Sequence, residues 1–416
     1  MRVFVRPCCT LIVAALGLAG CKTLDKTLDV ADGALDIANS RSVKNITSVV
    51  TSDDPKAAAK TIAKAQGDYY KDNPEALIDD IRAVKRDFDR LMALLTGKVD
   101  DTWGKKEVKV PTQKQYVKYT QNYKSRAVVD FDRGQVTVET LDEANPQQSL
   151  RSAVVTTLLT PEDPRAVDLF SDKPVTLSSE REPYLKGLVL DHLGKPIAAP
   201  ETAEAFAAHL LKNNATQRKV DVNGTTKEAL AVTIPMVSNF SNKQAEKYKA
   251  LVKDYAARHK ISTSLVYAII RTESNFNPYA VSSAPAYGLM QLVPTSGGRD
   301  AYRKVKGTDG IPSKEYLFEP ANNIELGTAY LGVLSYNQLE LVQNEVSREY
   351  CVISAYNTGA GNVFKTFAKD RTAAINAINS LEPHAVYEKL RTGLPYDETR
   401  QYLTKVVGFR KQFVTL

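Results

Sequence analysis

One glutamate, Glu273, has a setting in the sequence that could support acid chemistry. It lies in RTESNFNPYAVS, residues 271–282, directly after the apolar run LVYAII. The negative end of a helix dipole disfavours a carboxylate at that point, and apolar neighbours such as Val266, Ile269 and Ile270 can exclude water from it. Both effects raise the pKa of a carboxyl group. We therefore expect a carboxyl that stays protonated near neutral pH, which the protonation of a leaving glycosidic oxygen requires.

Glu273 alone does not define the chemistry, because a glutamate beside apolar residues often extends its carboxylate into water. Three later motifs make the pattern more specific, namely GLMQ at 288–291, AYN at 355–357 and ETRQYL at 398–403. With Glu-Ser at 273–274, they resemble in kind and order the catalytic domain of the soluble lytic transglycosylases, which cut the glycan strands of bacterial peptidoglycan. The resemblance covers roughly residues 250–410 and implies a mainly helical, lysozyme-like domain.

The resemblance implies a role for each matching position. Glu273 would be the acid that then acts as a base, and the hydroxyl of Tyr356 would lie against its carboxyl. Ser282 would lie near the reacting sugar, and Asn357 would support the cleft. The expected substrate-binding residues are Ser274, Ser282, Gly288, Met290, Gln291, Asn357 and Tyr402.

The GLMQ motif would form part of the sugar groove. Gly288 has no side chain, so its backbone could approach the substrate closely. Met290 would form an apolar wall, and Gln291 would hydrogen-bond the glycan or its acetamide. Three of these residues could instead have a purely structural role. Ser274 could terminate the helix, Met290 could belong to the core, and Tyr402 could be an ordinary packed tyrosine instead of part of the cleft wall.

A second catalytic acid has no comparable motif, although glycosidases usually use two carboxylates. Glu315, Glu319 and Glu325 have the setting of loop or helix-start residues. The resemblance implies a mechanism with one carboxyl, in which the 6-hydroxyl of the sugar attacks C1 and forms a 1,6-anhydro-muramyl product without metal or cofactor. Two alternatives stay open: a muramidase that uses water on the same fold, and a murein-binding scaffold without catalysis.

The N-terminus has the pattern of a bacterial lipoprotein signal. MRVFVR is basic, TLIVAALGL is apolar but too short to span a bilayer, and LAGC ends at Cys21. We expect residues 1–20 to be removed and Cys21 to be acylated; the alternative is an ordinary signal with a chance cysteine. The residue after Cys21 is Lys22 and not an aspartate. By resemblance to lipoproteins, this favours the outer membrane over the inner one, with the protein facing the periplasm.

Charge and cysteine content exclude several other classes of function. The chain has 416 residues and a net charge of +7, with its basic residues interleaved with acidic ones, which argues against a nucleic-acid partner. Cys8 and Cys9 would leave with the signal and Cys21 would carry lipid. Only Cys351 then remains, so we expect no intramolecular disulfide, and the spacing of cysteines and histidines predicts no metal site.

Changes in periodicity divide the chain into regions. Residues 21–105 are predicted to be helical, with one strong helix from Asn73-Pro74 to Gly97. Residues 106–235 alternate and are predicted to form a mixed, non-catalytic domain that serves as a spacer or docking module. It should contain a small antiparallel sheet with a hairpin turn at Asn223-Gly224, and a helix in PETAEAFAAHLLKNN, residues 200–214. Residues 236–416 are predicted to form the mainly helical catalytic domain. The predicted fold class is therefore α+β.

Overall fold

The computed structural model describes Tyr70, residues 73–177 and residues 181–414. These residues belong to one compact unit, Lys60–Leu416. The expected signal, Cys21 and the first helical segments lie outside the described residues. Among the described residues, none of the helices combines the length and apolar content needed to cross a bilayer.

A long helix, α1, opens the described chain. It spans Pro74–Trp103, beginning at Pro74 as predicted but continuing past Gly97, where we expected it to end. An exposed glycine such as Gly97 destabilises a helix by only about 1 kcal/mol relative to alanine. Val99 and Trp103 beyond it are fully buried, so tertiary packing carries the helix onward.

Five antiparallel strands form the sheet of the described region, in the order β1-β2-β3-β5-β4. Their bounds are β1 Gln115–Thr120, β2 Ser125–Asp130, β3 Gln135–Thr140, β4 Thr216–Val222 and β5 Thr225–Pro235. The predicted turn at Asn223-Gly224 is confirmed, because both residues have positive φ, 51° and 91°. The α+β class is confirmed as well.

One helix packs on this sheet, a second packs on that helix, and a buried ionic cluster lies on the sheet. The first helix is α2, Pro146–Leu158, which was not predicted, and the second is α3, Pro200–Asn213, which was. In the cluster, the guanidinium of Arg126 lies 3.8 Å above the Trp103 ring and binds the carboxylate of Glu139. The remaining partners of this cluster are Glu107 and Arg218. Because its charges are paired, we assign it a structural role.

The rest of the described chain is helical. Its longer helices are α4 Phe240–Lys247, α5 Lys249–His259, α6 Thr263–Glu273, α7 Gly297–Lys306, α8 Lys314–Phe318, α9 Pro320–Val333, α10 Glu345–Thr358, α11 Ala360–Phe367, α12 Arg371–Asn379, α13 Pro383–Gly393 and α14 Asp397–Arg410. Helix α6 is buried on nearly every side, and α14 packs along it. Cys351 is buried in α10. The domain limits at residues 105 and 235 remain a prediction.

Candidate active site

Glu273 is the last residue of α6 and is shielded from solvent. The residue is only 8% exposed, and Val266, Ile269 and Ile270 of the same helix are fully buried. Burial raises the pKa of Glu273 from its ordinary value to about 7. The expected shielding is therefore confirmed, and the carboxyl can be either protonated or ionised near neutral pH.

The carboxyl of Glu273 accepts its hydrogen bond from Tyr402, and not from Tyr356 as the resemblance implied. The hydroxyl of Tyr402 donates a 2.7 Å hydrogen bond to Oε1 of Glu273. The hydroxyl of Tyr356 donates instead to the backbone oxygen of Met290, at 2.8 Å. Tyr402 is 5% exposed and does not line the cleft in front of Glu273, so it does not form the cleft wall suggested by the resemblance. Its hydrogen bond lowers the pKa of Glu273 and opposes the effect of burial.

A tight turn follows Glu273. The hydroxyl of the buried Ser274 donates to the backbone oxygen of Leu289 at 2.7 Å, which ties the end of α6 to the GLMQ motif. Asn275 and Phe276 then have left-handed backbone conformations, with φ of 49° and 64°. Such a conformation is strained for phenylalanine, and strain of this kind persists only where surrounding contacts impose it. Ser274 thus terminates the helix and also fixes the motif opposite it.

Gly288 and Met290 are held by the protein core, which contradicts their expected roles in the groove. A Cβ on Gly288 would lie 2.5 Å from Nδ2 of Asn323, so its close approach is to protein. The Met290 side chain is fully buried and packs against Gly327, where any Cβ would lie 2.3 Å from its sulfur. Asn323 accepts a hydrogen bond from the Met290 N–H at 2.7 Å and donates to Tyr287 and Leu317. These contacts set the shape of the motif.

Gln291 is placed where it can contact a substrate. Its Nε2 donates to the backbone oxygens of Ala280 and Gly288, both at 3.0 Å. Its Oε1 accepts no hydrogen bond from any described residue, although the side chain is nine-tenths buried. The side chain is therefore fixed in one orientation at the surface of a cleft, and its Oε1 is an unpaired acceptor that the surrounding protein encloses.

An open cleft of about 600 Å³ lies in front of Glu273. Its lining includes Gln113, Glu273, Ser282, Gln291, Tyr330, Tyr356, Asn357, Tyr396, Glu398 and Thr399. Oδ1 of Asn357 accepts a 2.6 Å hydrogen bond from the Thr399 hydroxyl, which joins α10 to α14. Of the predicted site residues, the cleft brings together Glu273, Ser282, Gln291, Tyr356 and Asn357, whereas Ser274, Gly288, Met290 and Tyr402 lie behind its surface.

Several residues at the site escaped the sequence analysis, and three of them act on Glu273 or on the chain around it. Glu398 lines the cleft as a second carboxyl, and its charge raises the pKa of Glu273. Gln113 lines the cleft from the segment before β1, outside the predicted catalytic domain. Lys114, its neighbour, reaches the backbone at the end of α6. Glu398 could have been found in the ETRQYL motif, whereas residues 113 and 114 carry no local signal.

Comparison with known protein families agrees with this geometry. Residues 77–247 match the model described as "Membrane-bound lytic murein transglycosylase C, N-terminal domain". Residues 250–379 match the transglycosylase SLT domain. The helical region and its cleft thus define the class of the protein, a lytic murein transglycosylase of the SLT type.

Curated relatives narrow this class to one family. The membrane-bound lytic murein transglycosylase C of Yersinia enterocolitica is 41% identical over 355 residues, which cover 85% of this chain and 96% of the relative. The protein of the same name from Yersinia pestis is 43% identical over 326 residues, covering 78% and 89%. This chain therefore belongs to the membrane-bound lytic murein transglycosylase C family.

Solved structures match a smaller part of the chain. The 70-kDa soluble lytic transglycosylase of Escherichia coli is 31% identical over 39% of this chain, with a TM-score of 0.31. An inactive mutant of the lytic transglycosylase Slt of Pseudomonas aeruginosa is 29% identical over the same share, with a TM-score of 0.30. This chain spans 23% of the length of each of those two structures.

Proposed function

We propose that this protein cleaves the bond between N-acetylmuramic acid and N-acetylglucosamine in peptidoglycan and closes a 1,6-anhydro ring on the muramic acid, without water. The observation that carries the proposal is the Glu273 carboxyl, buried at the edge of the cleft, with a pKa of about 7 and a fixed hydrogen bond from Tyr402. A group with that pKa can serve first as an acid and then as a base at neutral pH.

In the proposed reaction Glu273 acts twice. It first donates its proton to the glycosidic oxygen as the bond from that oxygen to C1 breaks, with the substrate acetamide assisting departure. The Glu273 carboxylate then takes the proton of the 6-hydroxyl as O6 bonds to C1, which restores the protonated carboxyl. Because the attacking hydroxyl belongs to the same sugar, its effective concentration is high and no water is needed.

The other cleft residues would bind the glycan. Gln291 lines the cleft and would hydrogen-bond the glycan once its Oε1, which is unpaired and enclosed in this structure, turns toward the sugar. The Ser282 hydroxyl accepts a weak bond from the Ala286 N–H at 3.3 Å and keeps its own proton for the sugar. Tyr356 would act indirectly, by holding the backbone of Met290 beside Gln291.

Digestion of purified murein, followed by mass spectrometry of the products, tests the proposal. We expect anhydro-muropeptides from the wild type and no product from Glu273→Gln with its fold retained. Glu315→Gln is the matched control, because it removes a partly exposed carboxylate on α8 and should leave turnover unchanged. Normal turnover by Glu273→Gln, or products with reducing ends, would contradict the mechanism.

Glu398 favours one alternative, a hydrolase with two carboxyl groups. It lies in the first turn of α14 and lines the same cleft as Glu273, so it could activate a water molecule. It is exposed to solvent, however, and lacks the burial that tunes Glu273. We therefore expect Glu398→Gln still to form anhydro products. Complete loss of turnover in this variant, with reducing-end products from the wild type, would support the hydrolase.

The name of the family describes its members as membrane-bound. We propose that this protein lies at the outer membrane and faces the periplasm. The supporting pattern is LAGC followed by Lys22, which would leave acylated Cys21 as the mature N-terminus. Several acyl chains on one residue suffice for stable anchoring. The domain limits predicted at residues 105 and 235 would separate this anchor and the non-catalytic domain from the enzyme domain.

A further inference from the structure

Lys114 lies in the segment before β1, outside the predicted catalytic domain, and reaches the helix that carries Glu273. Its Nζ donates to the backbone oxygens of Arg271 and Thr272, at 3.0 and 2.6 Å. These are the two residues that precede Glu273 in α6. The backbone of Lys114 is itself fixed, because its carbonyl accepts the N–H of Phe131 at 2.9 Å.

The same short segment also fixes the chain that follows Glu273. Nδ2 of the buried Asn277 donates to the backbone oxygen of Gln113 at 3.2 Å. The N–H of Val281 donates to the backbone oxygen of Thr112 at 3.4 Å. Residues 112–114 therefore bind the catalytic region on both sides of the carboxyl, although they belong to the sheet region.

A cation suits this position for two physical reasons. The last carbonyl groups of a helix lack partners within the helix, and the ammonium of Lys114 supplies donors to two of them. The end of the helix is also electronegative, which destabilises an ionised Glu273. The positive charge of Lys114 offsets this effect and favours the carboxylate form, so its presence lowers the pKa of Glu273.

We propose that Lys114 is a positioning residue for the reaction: it holds the last turn of α6 in place and stabilises the carboxylate that Glu273 becomes after it has donated its proton. The inference rests on the proposed role of Glu273 as acid and then base. Through the side chain of Lys114, the predicted non-catalytic domain would influence the reaction. The sequence alone had suggested only a spacer or docking module.

The charged groups around the pair are consistent with this role. Burial lowers the pKa of Lys114 to about 8, while Asp132 and Glu273 oppose that shift and Arg271 and Lys405 add to it. Around Glu273, Tyr402 and Lys114 lower the pKa and Glu398 raises it. The charge of each group thus favours the charged form of the other.

The test is the pH dependence of kcat/KM for murein cleavage by the full-length protein. In Lys114→Met the pKa of Glu273 should rise, because a stabilising positive charge is lost. The alkaline limb, which reports loss of the acid, should move upward by about one pH unit. We also expect kcat to fall about tenfold while KM changes little. Lys114→Arg keeps the charge and should keep the limb at its wild-type position.

Lys118 provides a matched control. It is a buried lysine on β1 that likewise donates to two backbone oxygens, those of Asp168 and Ser171, at 2.8 and 2.7 Å. Lys118→Met should leave the alkaline limb in place even if it lowers thermal stability. If Lys114→Met does not fold, Lys114→Gln should show the same upward shift.

Two results would overturn the proposal. In one, the alkaline limb of the pH profile of kcat/KM stays at its wild-type position in Lys114→Met or Lys114→Gln. In the other, Lys118→Met moves that limb as far as Lys114→Met does. Either would leave Lys114 with a structural role alone. Failure of the proposed function is distinguishable, because it would appear as wild-type enzyme without anhydro products or as an active Glu273→Gln, whatever the lysine variants do.

Discussion

The hydroxyl of Tyr402 donates a 2.7 Å hydrogen bond to Oε1 of Glu273 across 129 positions of sequence. Tyr402 lies on α14 and Glu273 ends α6, so the bond joins two packed helices at the edge of the cleft. The bond orients the carboxyl and stabilises its ionised form, while burial favours the protonated form. The balance of these two effects, together with the charges of Lys114 and Glu398, gives the carboxyl its pKa of about 7.

Loss of the hydrogen bond between Tyr402 and Glu273 should favour the protonated form of the Glu273 carboxyl. In Tyr402→Phe we expect the pKa of Glu273 to rise and murein turnover at neutral pH to fall on the order of tenfold to a hundredfold, since the carboxyl loses its orientation. The pH profile of turnover, measured with product analysis, checks both effects.

The control for this variant is Tyr267→Phe. Tyr267 lies on the same helix as Glu273 and is equally buried, but its hydroxyl makes no hydrogen bond with any described residue. Removing an unpaired buried hydroxyl is close to neutral, so turnover and thermal stability should stay near wild type. Wild-type turnover and an unchanged pH profile in Tyr402→Phe would remove that residue from the mechanism.

The raised pKa of Glu273 also predicts how stability depends on pH. The folded carboxyl titrates at about 7 and the unfolded one at 4.5, so the folded state binds more protons between these values. The contribution of Glu273 to the free energy of unfolding therefore falls as pH rises through this window. Glu273→Gln lacks this loss and should gain about 3 kcal/mol relative to wild type between pH 4 and pH 7.5.

Denaturant unfolding of both proteins at the two pH values measures this difference. The sign is the informative part, because an ordinary surface glutamate would give no trend. A constant difference between the two proteins across the window would show that the Glu273 carboxyl titrates in the folded protein as it does in water.

Gly288 should tolerate no side chain. Its φ is 74°, and a Cβ would lie 2.5 Å from both the Leu317 backbone oxygen and the Asn323 side chain. Gly187 has nearly the same φ, 73°, but a Cβ there would have no atom within 4 Å. Gly187→Ala thus isolates the conformational strain, about 1 kcal/mol, and Gly288→Ala should cost several kcal/mol more.

Thermal unfolding of the two glycine variants tests this difference. We expect Tm to fall by a few degrees in Gly187→Ala and much further in Gly288→Ala. Equal shifts in the two variants would mean that the packing of the GLMQ motif against α9 is loose, and that backbone conformation alone accounts for Gly288.

Lipid anchoring predicts a simple change in fractionation. Cys21→Ala removes the residue that we propose to be acylated, so the protein should move from the membrane fraction to the soluble periplasmic fraction while its activity on purified murein persists. Immunoblotting of separated membranes measures the distribution. Retention of Cys21→Ala in the outer membrane would show that another element binds the bilayer.

The shielding of Glu273 was predictable because its cause is local, an apolar helix that ends at the carboxyl. The choice between Tyr356 and Tyr402 was not, since both tyrosines lie on helices far away in sequence and only helix packing decides which hydroxyl reaches the carboxyl. Burial of Met290 depends likewise on Gly327, a residue whose small size matters only once α9 is in place.

The strands could be predicted from the alternation of apolar and polar residues, and the hairpin turn from Asn223-Gly224. The contact of the sheet region with α6 could not be predicted in this way. Lys114 looks like one charge among many in the sequence. Its importance comes from a pairing over 157 positions, for which no periodicity or motif gives a signal. Side chains of this kind, which act on a site from a distant segment, are the ones that sequence patterns cannot identify.

The attachment of residues 112–114 to both sides of Glu273 bears on how this enzyme could be divided or transplanted. A fragment starting at residue 250 would keep every SLT motif, yet two helix-end carbonyls would lose the ammonium that binds them. The ring of Tyr279, which lies 4.8 Å from that of Tyr116, would become exposed to water. The surroundings of Glu273 are therefore built by residues from both the sheet region and the helical region.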